Sequence, residues 1–228
     1  MDPDSVRRWT NSEAFRTLPR PRGILAAVTS VSVDLPVATE RLDLRNRLAA
    51  IPPTAHSRGV FFNMLRDDLA RRRLLDVPDL RRLLGGAQKS YGYYPTRDLV
   101  EAYGIAGAIV NPDPLEGVRQ LFTDTATYFA NTWYGRAFAR FLRPDPRTAL
   151  SWIERSRDFV ANYGRWRLEI RGPEHAVFHM FDEYFWIESA QRGGCEGLLI
   201  ACGVDGEVHA DIDDRFNGRL DVRWQLRN

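Results

Sequence analysis

At 228 residues the chain has room for one or two domains, and 44% apolar against 27% charged residues is the balance of a soluble chain with a packed core. Its 32 Lys+Arg and 30 Asp+Glu leave a net charge of +2. That excludes a disordered polyelectrolyte and removes any composition-level case for nucleic-acid binding. Of the basic residues 31 are arginine and one is Lys89, an imbalance spread along the whole chain.

The first twenty-two residues mix Arg7, Arg8, Arg16, Arg20 and Arg22 with Asp2, Asp4 and Glu13 and lack an apolar h-region, unlike a secretory signal. The most apolar windows, 23–33 and 197–204, fall short of the ~20 residues of a spanning helix, so no membrane span is expected. Residues 1–36 read as an N-terminal extension, with a short helix near 11–18 and a β-branched alternation over 28–33. Residues 37–228 read as one domain. Helical patterning begins at Thr39 and stops at Pro52-Pro53, with Leu42, Leu48 and Ile51 on one face. A second helix fits Gly59 to Arg73, and a short third follows Pro78.

Asp113-Pro114 and Asp145-Pro146 each place a capping acceptor before a proline at the first helical position. The helices they start carry Leu115, Val118, Phe122 and Phe129, and Ala149, Trp152, Ile153 and Val160, on their apolar faces. Between them 133–142 reads as a short aromatic helix. From Gly164 the period changes to two. Trp166, Leu168 and Ile170 alternate with charged residues, Gly172-Pro173 turns the chain, and Ala176, Phe178 and Met180 alternate back. A helix over roughly 188–202 then leads to a second hairpin. It faces inward with Val208, Ala210 and Ile212, then Leu220, Val222, Trp224 and Leu226, and Asn217-Gly218 marks its turn. The sum is an α+β domain: a helical N-terminal two-thirds packed on a four-stranded antiparallel sheet in β-β-α-β-β order. Cys195 and Cys202, seven apart on one predicted helix, stand about 10 Å apart along its axis, beyond the ~7 Å reach of a disulfide. Two unpaired thiols make the cytoplasm the expected compartment.

Several short segments in this order resemble an uncharacterised family of myxobacterial paralogous proteins, a domain of unknown function. They are Arg47-Leu48-Ala49 with Pro52-Pro53, Arg58 to Asn63, Tyr94-Pro95, Gly135-Arg136-Ala137, Asn162-Tyr163-Gly164 and the closing Leu220 to Trp224. That family is in turn remotely similar to the haem-NO-binding and four-vinyl-reductase sensory domains. The resemblance implies the same β-β-α-β-β build, a sensory or adaptor role, and a ligand layer between helices and sheet; it carries no catalytic residue. A haem-NO-binding domain also needs a histidine on a central helix and a Tyr-x-Ser-x-Arg element. This sequence has no histidine between Gly59 and Glu174 and no such element, so no cofactor is expected.

Other chemistry-bearing motifs reduce to structure. His175, His179 and His209 lie near Glu207 and Asp211, but four strand residues span ~13 Å, too far for the first two to share an ion. Gly193-Gly194-Cys195-Glu196-Gly197 has the form of a nucleophile elbow without the strand that elbow needs, and its glycines are expected to bring a helix close to the sheet. Gly85-Gly86 to Ser90 lacks the glycine before its lysine that a phosphate loop has. The chain is therefore not expected to be an enzyme. The leading expectation is a regulatory or sensory binding module holding a small apolar ligand among Phe61, Phe62, Tyr94, Phe122, Phe129 and Trp133. The alternative is an adaptor that binds a signalling protein or a second copy of itself through segregated charge. Residues 136–171 hold nine arginines and four acids, whereas 182–214 hold nine acids and Arg192. Arg136, Arg140 and Arg143 form a helical stripe for an anionic partner. Arg165, Arg167 and Arg171 are expected to pair across the sheet with Glu207, Asp211 and Asp213.

Overall fold

The computed structural model divides the chain into residues 1–32 and 33–228. The structure describes residues 39–131 and 145–225, all in the second unit. Helices α1 (Leu44–Ala50), α2 (Gly59–Arg71) and α3 (Pro78–Leu84) follow the predicted order, with the prolines where the sequence put them and α2 ending two residues before the expected Arg73. Two three-residue strands, β1 (His56–Arg58) before α2 and β2 (Tyr93–Pro95) after α3, pair antiparallel with Ser57 opposite Tyr94. Helix α4 (Thr96–Val110) has no counterpart among the predicted elements. Residues 102–108 are all buried, so that stretch has no polar face to create a helical period.

Helix α5 (Pro114–Asn131) is the axis of the helical layer. A Cβ on its Gly117 would stand 2.0 Å from the Gly107 carbonyl oxygen of α4. On its other side it meets α8 (Arg192–Ala201), which continues from a π-helical turn at Ile187–Gln191. A Cβ on Gly193 would lie 2.3 Å from the Arg119 oxygen, and one on Gly197 2.6 Å from the Thr123 oxygen. The glycines around Cys195 thus bring two helix backbones together, rather than helix and sheet. Close approach needs the missing methyl, and the element approached is α5.

The second half is the expected β-β-α-β-β. Strands β3 (Arg165–Gly172), β4 (His175–Phe181), β5 (Asp205–Ile212) and β6 (Gly218–Gln225) form one antiparallel sheet in the order β3-β4-β6-β5. Ala176, Phe178, Met180, Val208, Leu220, Val222 and Trp224 form its inner face together with Cys195, Leu199 and Ile187. Helices α6 (Pro146–Arg155) and α7 (Arg157–Val160) lie at the β3 end, with Leu150 of α6 fully buried in that core. Three expectations need correction. Ile212, expected to face inward, is exposed where β5 runs out at the sheet's end. The second hairpin turns through five residues, 213–217, with Asp214 Oδ1 accepting from the Phe216 and Asn217 amides, and Gly218 already pairs with Ile212. Strands β3 and β5 are opposite edges of the sheet, so Arg165, Arg167 and Arg171 cannot pair with Glu207, Asp211 and Asp213. Their place is taken by neighbours: Arg171 with Glu169 and Arg219 with Asp211.

Candidate functional site

The helical core contains the predicted aromatic residues in two groups. Phe62, 2% exposed, packs its ring on Tyr94 at 5.7 Å, with Phe61 half-buried on the same cluster. Tyr94 spends its hydroxyl on the amide of Lys89, which fixes the 85–90 loop. Asn63 holds the same loop, exchanging two bonds with the Gln88 backbone at 2.7 and 2.9 Å. Phe122 belongs to a second group, 4.3 Å from Tyr103 and 5.4 Å from Phe185, with Tyr103 and Phe185 edge-on at 5.8 Å. Trp186 closes this layer: it is 1% exposed and its Nε1–H donates to the Leu42 carbonyl at 2.9 Å. The side chain of Phe129, and Trp133, Arg136, Arg140 and Arg143, lie outside the described residues. Among the described residues, a surface cleft of about 560 Å³ lies by Leu44, Leu48 and Ile105, and another of about 430 Å³ lies between α8 and β5. Phe61, Phe62, Tyr94 and Phe122 line neither.

Two buried arginines, which the sequence did not single out, tie the layers together. Arg157 of α7 faces Glu183 at 3.4 Å, with the two side chains 5% and 1% exposed. Its guanidinium lies over the rings of Tyr163 (4.5 Å) and Trp166 (4.6 Å). Glu183 also accepts from Trp166 Nε1 at 2.9 Å and from the Phe185 amide at 3.0 Å. Burial beside this carboxylate pushes the Tyr163 hydroxyl well above its ordinary range. Arg47 of α1 donates to the Tyr184 carbonyl at 3.1 Å and lies 5.0 Å from the Trp186 ring and 5.3 Å from Phe216. Burial lowers its pKa, against the opposing pull of Glu188. Each stands in a segment with other charged residues, Arg45 near Arg47 and Arg155 and Asp158 near Arg157, so sequence pattern does not tell the buried arginine from its exposed neighbours.

The histidines and cysteines occupy structural positions. His175 meets Asp221 at 3.0 Å, His179 meets Glu169 at 3.3 Å and His209 meets Glu207 at 3.4 Å, all on the outer sheet face. His179 and His209 stand on β4 and β5, which β6 separates. Among the described residues no three His, Cys, Asp or Glu gather as a metal site. Cys195 is 4% exposed in the sheet core, where burial, aided by Glu196, pushes its thiol up to about 12. Cys202 is half-buried and pushed up to about 11, mainly by burial. No helix among the described residues is long and apolar enough to cross a membrane.

A family model described as a protein of unknown function (DUF2378) matches residues 51–225, three-quarters of the sequence. The chain belongs to this family. No curated protein matches it. Among solved structures it is similar to the Fe(II) unliganded H-NOX protein of K. algicida, with a TM-score of 0.53 at 10% identity, over 75% of this chain and 97% of that one. The H-NOX protein of S. oneidensis in the Fe(II)NO ligation state gives 0.53 at 12% identity, over 74% of this chain and 99% of that one. At such identities the likeness is one of fold, and it agrees with the α+β architecture and the remote relationship expected from the sequence.

The residues present do not fit a haem. Three of the four histidines are on the outer sheet face, and His56 of β1 is bonded through Nδ1 to the Thr54 carbonyl at 2.7 Å. Cys195 faces the sheet core with its thiol held protonated. The helical core is filled by Tyr103, Phe122, Phe185 and Trp186, and Ile187, Cys195 and Leu199 pack directly on the inner face of the sheet.

Proposed function

We propose that this chain is a non-enzymatic regulatory module that binds a partner protein at its surface, its helix–sheet layer acting as a solid scaffold. One observation carries the reading. In a fold shared with Fe(II)-holding H-NOX proteins, the helical core is filled by this chain's own interlocked rings, Tyr103, Phe122, Phe185 and Trp186, and the inner face of the sheet is covered by Ile187, Cys195 and Leu199. Admitting a small apolar ligand there means displacing one of them, and emptying a buried aromatic site costs about 3–5 kcal/mol before any ligand contact is made. The two unpaired cysteines fit a reducing cytoplasm.

The experiment is native mass spectrometry of the full-length protein, joined to thermal unfolding with hemin and with decanoate. No co-purified mass and no rise in Tm are expected. A stoichiometric adduct, or a Tm that climbs with ligand concentration, overturns the reading in favour of a ligand-holding sensor.

A further inference from the structure

The two edges of the sheet are finished differently. At the β3 edge the Leu168 amide points outward and donates to Glu154 Oε1 of α6 at 2.7 Å, so a side chain occupies the position another strand would take. At the other edge β5 is eight residues long, six of them exposed, and its only ladder among the described residues is the one with β6. Large exposed apolar residues flank it at both ends, Ile200 at 57% and Ile212 at 41%. Alongside runs the cleft of about 430 Å³, with Leu199, Val204 and Val208 on its apolar wall. Its arginines are already committed: Arg119 and Arg192 both bind Glu196.

Charge decides what this edge accepts. Alternation puts Glu207, His209 and Asp211 on one face of β5, with Asp213 just beyond its end. Arg219 takes Asp211, whereas Glu207 has the exposed His209 as its partner. A second copy is a poor occupant. Antiparallel self-pairing that keeps side chains on their own faces and centres on His209 sets Glu207 opposite Asp211 and Asp205 opposite Asp213. Like charges directly opposite are destabilising. The chain's own arginine-rich strand, β3, is the capped one.

We infer that the β5 edge is a strand-addition site for an extended basic segment of a partner protein, in which lysine or arginine alternates with apolar residues. The partner's backbone extends the sheet beyond β5, its basic side chains meet Glu207 and the Asp211–Asp213 end, and its apolar ones enter the cleft toward Leu199 and Val208. The inference rests on the partner-binding reading and specifies where and what the partner is.

The test uses the full chain and a fluorescent decapeptide alternating arginine with valine, followed by anisotropy and by hydrogen exchange of the protein amides. Binding is expected, with protection concentrated in residues 205–212. The acidic counterpart, alternating glutamate with valine, is expected not to bind. The double variant Glu207→Arg, Asp213→Arg is expected to weaken the basic peptide by roughly tenfold and to admit the acidic one. N-methylation of the peptide on one backbone edge should abolish binding while the other edge tolerates it, which separates strand pairing from charge attraction. Binding indifferent to N-methylation on either edge, no binding, or protection confined to other elements overturns the site. In those cases the partner-binding reading itself stands or falls on the mass-spectrometric result.

Discussion

The helical layer and the sheet close by opposite means. Around α5 the closest approaches are backbone to backbone. Gly117 meets the Gly107 carbonyl, and Gly193 and Gly197 meet the carbonyls of Arg119 and Thr123. In the sheet the contacts are side chain to side chain, with Phe178, Met180, Leu220, Val222 and Trp224 each at most 3% exposed. One half is held by what its residues lack and the other by what they carry. Arg157 and Glu183 join the two, since Glu183 bonds Trp166 of β3 and the Phe185 amide that leads into the helical core.

That seam is where the largest effect is expected. Arg157→Ala leaves Glu183 buried without its counter-charge, at a cost of about 3–5 kcal/mol in urea unfolding at pH 7. The double variant Arg157→Met, Glu183→Leu should lose less than the single one, because it removes both charges instead of stranding one. A single variant within about 1 kcal/mol of wild type would show that the two layers close without the pair. Gly117→Ala comes next, at about 1–3 kcal/mol, because its new methyl must push α4 and α5 apart. The same addition at Gly86, where a Cβ meets nothing within 4 Å, should be close to neutral. Equal losses at the two positions would break the distinction between the close-packed helices and the rest of the chain.

The same distinction explains what could be read from the sequence. Both hairpins were legible because Trp166, Leu168 and Ile170, and later Leu220, Val222 and Trp224, alternate with charged residues. Helices α5 and α6 were legible from Asp113-Pro114 and Asp145-Pro146. Helix α4 was not, since Ala102, Gly104, Ala106, Gly107 and Ala108 are buried on all sides and no polar face sets a period. Strand order was beyond the pattern too. Alternation gives the faces of β3 and β5 but not their neighbours, so the expected Arg–acid pairing joined two opposite edges. A list of aromatic residues does not distinguish a pocket wall from a plug, because composition carries no packing. The Tyr103–Phe122 contact at 4.3 Å is visible only in the folded chain.

The smallest effect lies at the capped edge of the sheet, where helix α6 begins. Asp145 accepts from the Arg147 amide at 3.4 Å, from the Thr148 amide at 3.0 Å and from the Thr148 hydroxyl at 2.6 Å. Partial burial works against its charge, but the bonds from Thr148 and Arg147 outweigh it and hold the carboxyl below its ordinary 3.8. A carboxyl with a lower pKa folded than unfolded stabilises the fold fully above the unfolded value, and that contribution is lost as pH falls through the folded one. Asp145→Ala should therefore cost about 1 kcal/mol at pH 7, with the gap between variant and wild type closing as pH drops below 3.8. Urea titrations at pH 7 and at about pH 3 check this, and a gap that stayed constant would assign the loss to packing around Pro146 instead. Because α6 also delivers Glu154 to the Leu168 amide, the variant loosens the cap on β3 while leaving β5 untouched. Faster hydrogen exchange at Leu168, with residues 205–212 unchanged, would show that only one edge of the sheet depends on a helix to keep it closed.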